Sequence, residues 1–259
     1  MRFGRADMLI CFALKEEAAP FRKIAQAKSG IAILLTGIGR QNAEKSVREF
    51  LGSAPAPGAA VDASSTAKTN DAASFATREG ACAPQLVLTC GFAGGLNPDL
   101  KLGDVVFEIG NRRDELHESP SQSEVRNSQS SSLRQKLLAA GAKPAKFFCA
   151  DRIATTAAEK KKLRNETGAD TVEMESAAIH AVCAERNIPC ATVRVISDTA
   201  NEDLPLDFNQ LSKPDRSLDY GKLFLTVAKS PGKICGLIQL QKKTKFAAEK
   251  LADVLAKVI

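Results

Sequence analysis

The sequence predicts a single α/β domain, a three-layer α/β/α sandwich built around a largely parallel sheet. Short β-branched runs alternate with helical patterns along the chain, which is the order expected of a parallel sheet covered by helices on both faces. A length of 259 residues, with 44% hydrophobic and 25% charged side chains, is sufficient to bury one large core.

Runs of branched apolar side chains predict the strands of this sheet. They are "MLICFAL" (8–14), "GIAILLT" (30–36), "QLVLTC" (85–90), "DVVFEI" (104–109) and "CATVRVIS" (190–197). Apolar residues at helical spacing predict helices at 16–27, 41–51, 131–140, 157–167, 175–186 and 232–258. Two basic stretches within these helices, "EKKKLR" (159–164) and "KKTK" (242–245), are expected to form solvated faces.

Two segments interrupt the alternation of strands and helices. Residues 52–84 are rich in Ala, Pro, Ser and Thr, and residues 112–132 are polar and rich in serine. Segments with so few large apolar side chains bury too little surface to offset the entropy lost on ordering. We therefore expect both to be mobile surface insertions within the single domain 1–259.

Charge and aromatic content argue against nucleic acid as a partner. The net charge is +6, but the basic residues are scattered along the chain. One tyrosine and no tryptophan leave few rings on which bases could stack.

The cysteines and the hydropathy of the chain indicate in which cellular compartment the protein is expected. The seven cysteines form an odd set without a C-x-x-C pair, which predicts reduced core thiols and neither a disulfide framework nor a metal site. The apolar run near the start is too short for a secretory signal, and no run reaches membrane-spanning length. We expect a cytoplasmic protein without stable membrane insertion.

Chemically useful side chains follow three of the predicted strands directly. The first strand leads into Glu16 and Glu17, the third into "GFAGG" (91–95), and the last into Asp198. Ligands of open α/β sheets bind beyond the carboxyl ends of the strands. The three segments therefore predict one site at one edge of the sheet.

Several motifs resemble the purine nucleoside phosphorylase and nucleosidase superfamily, in the branch of methylthioadenosine/S-adenosylhomocysteine nucleosidase. They are "FALKEE" (12–17), "TGIGRQNA" (36–43), "GFAGGLNPDLKLGDVV" (91–106), "DTVEMESAAIHAVC" (170–183) and "IPCATVRVISDTAN" (188–201). They occur in the family's order over most of the chain. The segment 204–240 is similar to the hopanoid-associated phosphorylase subgroup.

The resemblance implies cleavage of the N-glycosidic bond of a purine, adenosine-type nucleoside, with named roles for four residues. Asp198 would protonate the leaving purine, and Glu17 would activate the attacking water. Glu175 would bind the ribose hydroxyls, because a carboxylate can accept two hydrogen bonds, and Met174 would pack against the sugar. Glu173 is equally well explained as a first-turn acid favoured by the helix dipole.

Further substrate contacts follow from the same resemblance. They are Phe92, Ala93, Gly94, Ile153, Ala154 and Ser197. The resemblance implies no metal and no organic cofactor, and it implies a homodimer or a larger homo-oligomer.

Water is favoured over phosphate as the nucleophile. Phosphorolytic members carry a Ser or Thr where this chain has Phe92, and an arginine where it has Thr89, and we expect no local charge to replace that arginine. Glu17 would also repel a phosphate dianion. A phosphorylase remains the alternative, with Arg40 as its possible phosphate contact.

Two other classes of protein are less well supported by the sequence. "TGIGRQNA" (36–43) gives G-x-G-x-x-N without the third glycine of a dinucleotide fingerprint, which disfavours an NAD-dependent oxidoreductase. A non-catalytic nucleoside-binding module stays open as an alternative, although such a module would be expected to lose Glu17 or Asp198.

Overall fold

The computed structural model describes residues 7–52, 83–110, 120–211 and 232–259. Nearly all of the insertion predicted at 52–84 lies outside these ranges, as does the first part of the one at 112–132. Among the described helices, none is both long and apolar enough to cross a membrane.

A mixed, mostly parallel sheet forms the centre of the protein. Its strands are β1 (Met8–Phe12), β2 (Ile31–Leu35), β3 (Leu86–Gly95), β4 (Val105–Ile109), β5 (Lys143–Pro144), β6 (Phe147–Cys149), β7 (Thr171–Glu173) and β8 (Cys190–Asp198). Through the described residues its main path runs β2-β1-β3-β8-β4-β5, and β7 pairs with both β3 and β6. β1 is parallel to β2 and β3, and β3 to β8, whereas β4 runs antiparallel to β8. The carboxyl ends of β1, β3 and β8 therefore meet at one edge.

Helices cover both faces of this sheet. They are α1 (Lys15–Ala25), α2 (Arg40–Gly52), α3 (Pro120–Ala139), α4 (Ala157–Thr167), α5 (Ser176–Glu185) and α6 (Lys233–Val258). Residues of α1, α3 and α6 pack with Ile10 and Phe12, and residues of α2 and α5 pack with Leu9 and Cys11. Successive strand residues point to opposite faces, so the wholly apolar β1 needs cover on both sides. The predicted three-layer α/β/α sandwich is confirmed.

Two features of the fold differ from the sequence-based expectation. Helix α3 begins at Pro120, so residues 120–132, expected to belong to a surface insertion, are helical. Its serine-rich first half has no apolar periodicity that would have indicated a helix. The strands β5, β6 and β7 were not predicted, because two or three residues are too few to establish an alternating pattern.

Candidate active site

The site is built along β3 and β8 at the carboxyl edge of the sheet. The sequence predicted that strand β3 ends at residue 90, before the glycine-rich segment. In the structure β3 continues through that segment to Gly95. Gly91 lies opposite Arg194, and Gly94 lies opposite Asp198 after a shift in register. The stretch of β3 between these two glycines therefore has a charged side chain of β8 at each end.

Gly91 allows two side chains to approach the backbone of β3. Its φ is +146°, a conformation that side-chain-bearing residues rarely adopt. A Cβ here would lie 2.7 Å from Glu17 Oε1 and 2.7 Å from Arg194 Nη1. The absence of a side chain at Gly91 is what brings this carboxylate and this guanidinium together.

Glu17 comes from the first turn of α1 and is buried. Its Oε2 accepts a hydrogen bond from Leu14 N at 2.9 Å, and its Oε1 accepts one from Phe92 N at 2.8 Å. Burial raises the pKa of Glu17 from 4.5 to about 7, against the opposing effect of Arg194. Near neutral pH this carboxyl is therefore able to take up and release a proton, as a general base must.

Arg194 is a buried cation of the site, and the sequence reasoning missed its role. Its Nη2 lies 2.7 Å from Glu173 Oε2 and 3.2 Å from Glu175 Oε2, and it donates to Thr89 Oγ1 at 3.1 Å. The expectation that no charge would replace the arginine missing at Thr89 is wrong, because the adjacent strand supplies one. An arginine inside the apolar run "CATVRVIS" was the available signal, since a buried charge requires partners.

The nitrogen Nε of Arg194 has no hydrogen-bond partner. It is the buried side-chain nitrogen or oxygen left unsatisfied within the part of the chain that the structure describes. A buried donor without an acceptor costs about 1–3 kcal/mol. A ligand oxygen that reached this nitrogen would remove that cost.

Glu173 and Glu175 flank Met174 at the start of α5 but have different surroundings. Glu173 accepts from Glu175 N at 2.9 Å, Ser176 N at 2.8 Å and Ser176 Oγ at 2.6 Å. Burial alone would raise the pKa of Glu173, but Arg194 and the bonds from Ser176 hold it below its ordinary value. Glu173 thus anchors the start of α5 and the guanidinium, although it is the last residue of β7 and lies just before the first turn of the helix.

Glu175 has fewer hydrogen-bond donors around it. Its Oε1 accepts from Gly39 N at 2.9 Å, and its Oε2 meets Arg194. Burial raises the pKa of Glu175, against the effect of Arg194 and with a contribution from the neighbouring charge of Glu173. The carboxylate keeps lone pairs for a ligand, as a sugar-binding group would need.

Asp198 ends β8 and is held on both oxygens. Ser197 Oγ donates to Oδ1 at 2.8 Å, and Lys160 Nζ lies 2.5 Å from Oδ2. Lys160 belongs to "EKKKLR", and the prediction of a solvated face is wrong for this residue, which has no exposed surface. Its position three residues after Ala157 and three before Leu163 places it on the inner side of α4.

Glu17 and Asp198 contact β3 at two points that are separated along the strand. Glu17 contacts β3 at Gly91 and Phe92, whereas a Cβ at Gly94 would lie 3.3 Å from Asp198 Oδ2. Three residues of strand span about 10 Å. A ligand lying along this stretch would meet a carboxyl group at each end.

Several of the remaining predicted site residues lie on or near this edge. Met174 and Ala93 are buried, and Phe92 is partly buried on β3. The side chain of Asn209 accepts a hydrogen bond from the N–H of Ile153 and donates one to its C=O, at 2.9 Å each. These bonds tie Asn209 to the loop between β6 and α4.

Arg40 and Ala154 line a groove of about 360 Å³ between the start of α2 and helix α4. Arg40 is half-exposed, donates to the carbonyl of Cys149 and lies 3.4 Å from Asp151 Oδ1. Neither Glu17 nor Asp198 lines this groove. Across the described ranges no group of three or more His, Cys, Asp or Glu side chains is arranged to hold a metal ion.

The fold and the sequence together define the class of the protein. The model of the phosphorylase superfamily matches residues 18–218, which is most of the chain. The protein belongs to this superfamily.

Individual relatives are named nucleosidases. The chain is 29% identical over 150 residues to aminodeoxyfutalosine nucleosidase of Campylobacter jejuni, covering 49% of this chain and 61% of the relative. It is 29% identical over 149 residues to 5′-methylthioadenosine/S-adenosylhomocysteine nucleosidase of Shewanella pealeana, covering 49% and 63%. The matched region thus spans about three fifths of the length of these curated relatives.

Solved structures establish the same fold. The 5′-methylthioadenosine/S-adenosylhomocysteine nucleosidase of Neisseria meningitidis, in complex with methylthio-immucillin-A, superposes with a TM-score of 0.57 at 18% identity, over 97% of each chain. Futalosine hydrolase of Helicobacter pylori gives 0.54 at 17% identity, over 96% of each chain.

Proposed function

We propose that the protein hydrolyses the N-glycosidic bond of a purine nucleoside and releases the free base. The observation that carries this proposal is the pair of buried carboxyl groups, Glu17 and Asp198, placed at opposite ends of the Gly91–Gly94 stretch of β3. Cleavage of a nucleoside needs an acid at the base and a nucleophile at the anomeric carbon. The superfamily and the named relatives support the same reaction class.

Each buried group has a defined part in this reaction. Asp198 gives its proton to a ring nitrogen of the purine as the bond from C1′ to the base breaks, so the base leaves as a neutral molecule. Glu175 accepts hydrogen bonds from the ribose hydroxyls, next to Met174. Glu17 takes a proton from water, whose oxygen forms the new bond to C1′. The products are free base and free sugar.

Charge favours water over phosphate as the nucleophile. Glu17, Glu173 and Glu175 surround the single guanidinium of Arg194, so three negative charges and one positive leave a net charge of −2 when all are ionised. A phosphate dianion entering this cluster would meet net repulsion, whereas a neutral water would not. The unpaired Nε of Arg194 is the observation that favours phosphorolysis as the second candidate.

The nucleoside is of the adenosine type in this proposal, with a 5′ substituent of the kind carried by the substrates named for the relatives. These names specify 5′-methylthioadenosine, S-adenosylhomocysteine and aminodeoxyfutalosine. All three are suitable first probes.

The test follows base and sugar release in phosphate-free buffer and again with added phosphate. Equal rates and a free sugar product support hydrolysis; a strict need for phosphate, with a sugar 1-phosphate formed, would refute it and make Arg194 and Arg40 the residues to substitute. Asp198→Asn should bind the nucleoside and lose roughly 10²- to 10⁴-fold in turnover. Binding of nucleoside without base release by the wild-type protein would identify a binding module.

A further inference from the structure

Lys160 is a fully buried lysine beside the proposed acid. It has no exposed surface, although the two lysines that follow it on α4, Lys161 and Lys162, are exposed. Removing an ammonium group from water costs several kcal/mol unless the charge is paired and its protons are all donated. The contacts of Lys160 therefore indicate why the chain keeps a charge at this position.

Within the described residues, the ammonium group contacts the end of β8 and the chain that follows it. Nζ lies 2.5 Å from Asp198 Oδ2 and donates to the carbonyl oxygens of Thr199 at 2.8 Å and Glu202 at 2.9 Å. An ammonium group has three protons, and here each has one acceptor. Ser197 Oγ occupies the other oxygen of Asp198, so the carboxyl group is fixed between a hydroxyl and a cation.

Attachment of the loop after β8 does not by itself require Lys160. Asp203 Oδ1 accepts from Ala157 N at 2.7 Å, and Leu204 N donates to the Thr155 carbonyl at 2.8 Å, so this loop has other ties to the start of α4. Lys160 differs from these ties because it also contacts Asp198. A role in loop attachment alone would be served equally by a neutral donor.

We propose that Lys160 is a positioning residue for Asp198: it orients the carboxyl group toward the leaving purine and stabilises the carboxylate that forms when the proton is given up. The inference rests on the proposed function. As the bond between C1′ and the base breaks, its electron pair stays with the purine, and the proton passes from the Asp198 carboxyl group to a purine nitrogen. Asp198 becomes a carboxylate paired with Lys160, whose ammonium keeps all three protons.

Leaving-group dependence separates this role from a structural one. An adenosine-type nucleoside needs protonation of its base, whereas 4-nitrophenyl β-D-riboside releases 4-nitrophenolate without an acid. Both turnover rates are measured on one preparation of each variant. Their ratio does not depend on the fraction of folded enzyme, so even a variant that folds poorly gives a usable ratio. Lys160→Gln, which keeps amide donors for the two carbonyls, is the second variant beside Lys160→Met.

We expect both variants to lower the ratio of nucleoside to nitrophenyl turnover roughly 10- to 100-fold, part of the roughly 10²- to 10⁴-fold supplied by a positioned acid. KM for the nucleoside should stay within about threefold, because Lys160 does not contact the sugar-binding Glu175. Lys160→Arg should restore part of the ratio. Asp198→Asn should lower the ratio further, and Asp203→Ala, which loosens the same loop without touching Asp198, should leave it unchanged.

Two outcomes would overturn the inference. One is an equal loss on both substrates, which would show a structural role; the other is an unchanged ratio in Lys160→Met. Failure of the wild-type protein to release base from any nucleoside while it still cleaves the nitrophenyl riboside would instead refute the proposed function.

Discussion

Replacement of Glu17 by glutamine should change the pH dependence of stability in a defined direction. Burial raises the pKa of Glu17 from 4.5 to about 7. Between these values the native protein holds a proton that the unfolded chain has released, so the free energy of unfolding falls as the pH rises. A difference of about 2.5 in pKa corresponds to about 3 kcal/mol. Glu17→Gln cannot ionise and should escape this loss.

Urea unfolding at pH 5 and pH 8 measures the effect. The free energy of unfolding of Glu17→Gln, relative to the wild type, should rise by about 2–3 kcal/mol between the two values, because at pH 5 part of the loss in the wild type has already occurred. The two backbone donors, Leu14 N and Phe92 N, will face a Gln side chain that offers one oxygen, which adds a contribution independent of pH. Glu16→Gln, on the exposed side of the same helical turn, is the matched control and should show no such rise.

The pH dependence of turnover should reflect the protonation of the same carboxyl group, Glu17. With Glu17 as the base, the turnover of the wild type should decline below about pH 7, and Glu17→Gln should lose roughly 10²- to 10⁴-fold at its best pH. A relative stability of Glu17→Gln that is the same at pH 5 and pH 8, or that rises toward acid, would refute the reasoning about its burial. Near-normal turnover in this variant would exclude Glu17 as the base.

Two further predictions concern the surroundings of Glu17. Gly91→Ala should abolish turnover, because its Cβ would lie 2.7 Å from both Glu17 and Arg194. It should be less stable by about 1–3 kcal/mol than Gly141→Ala, which also has a positive φ, of +92°, but whose Cβ meets nothing within 4 Å. Equal stabilities in thermal or urea unfolding would contradict this. Arg194→Met should cost about 3–5 kcal/mol, because it leaves buried carboxylates unpaired, and adding Glu173→Gln should recover part of that loss. Additive losses in the double variant would show that the pair is not coupled.

Local chemistry explains why the fold could be predicted. Helix α4 was predicted at its observed bounds from the spacing of its residues; in the structure Thr156 and Glu159 form a capping box at its start, and Gly168 ends it with φ of +65°. Strand β1 was predicted because all its side chains are apolar. Such signals lie within a few residues of each other, so a single sequence contains them.

The electrostatics of the site could be predicted less well. The sequence indicated which segments reach the edge, but Arg194 and Lys160 depend on hydrogen-bond partners 19 to 105 residues away along the chain. The three adjacent lysines in "EKKKLR" cannot be distinguished by residue type. The side of the helix on which each one lies, relative to the sheet, decides which is buried. The requirement for glycine at position 91 also could not be predicted, because it arises from the positions of Glu17 and Arg194 together.

The arrangement of Arg194 with Glu173, Glu175 and Glu17 has a consequence for sequence divergence. Because these buried charged residues interact with one another, a substitution that is harmful alone becomes tolerable after a second one elsewhere in the group. The order in which substitutions accumulate is thereby restricted. Relatives that have replaced the arginine by a neutral residue should also have replaced at least one of the three glutamates, and Glu173, which is bound mainly to Arg194 and Ser176, is the first expected to change with it.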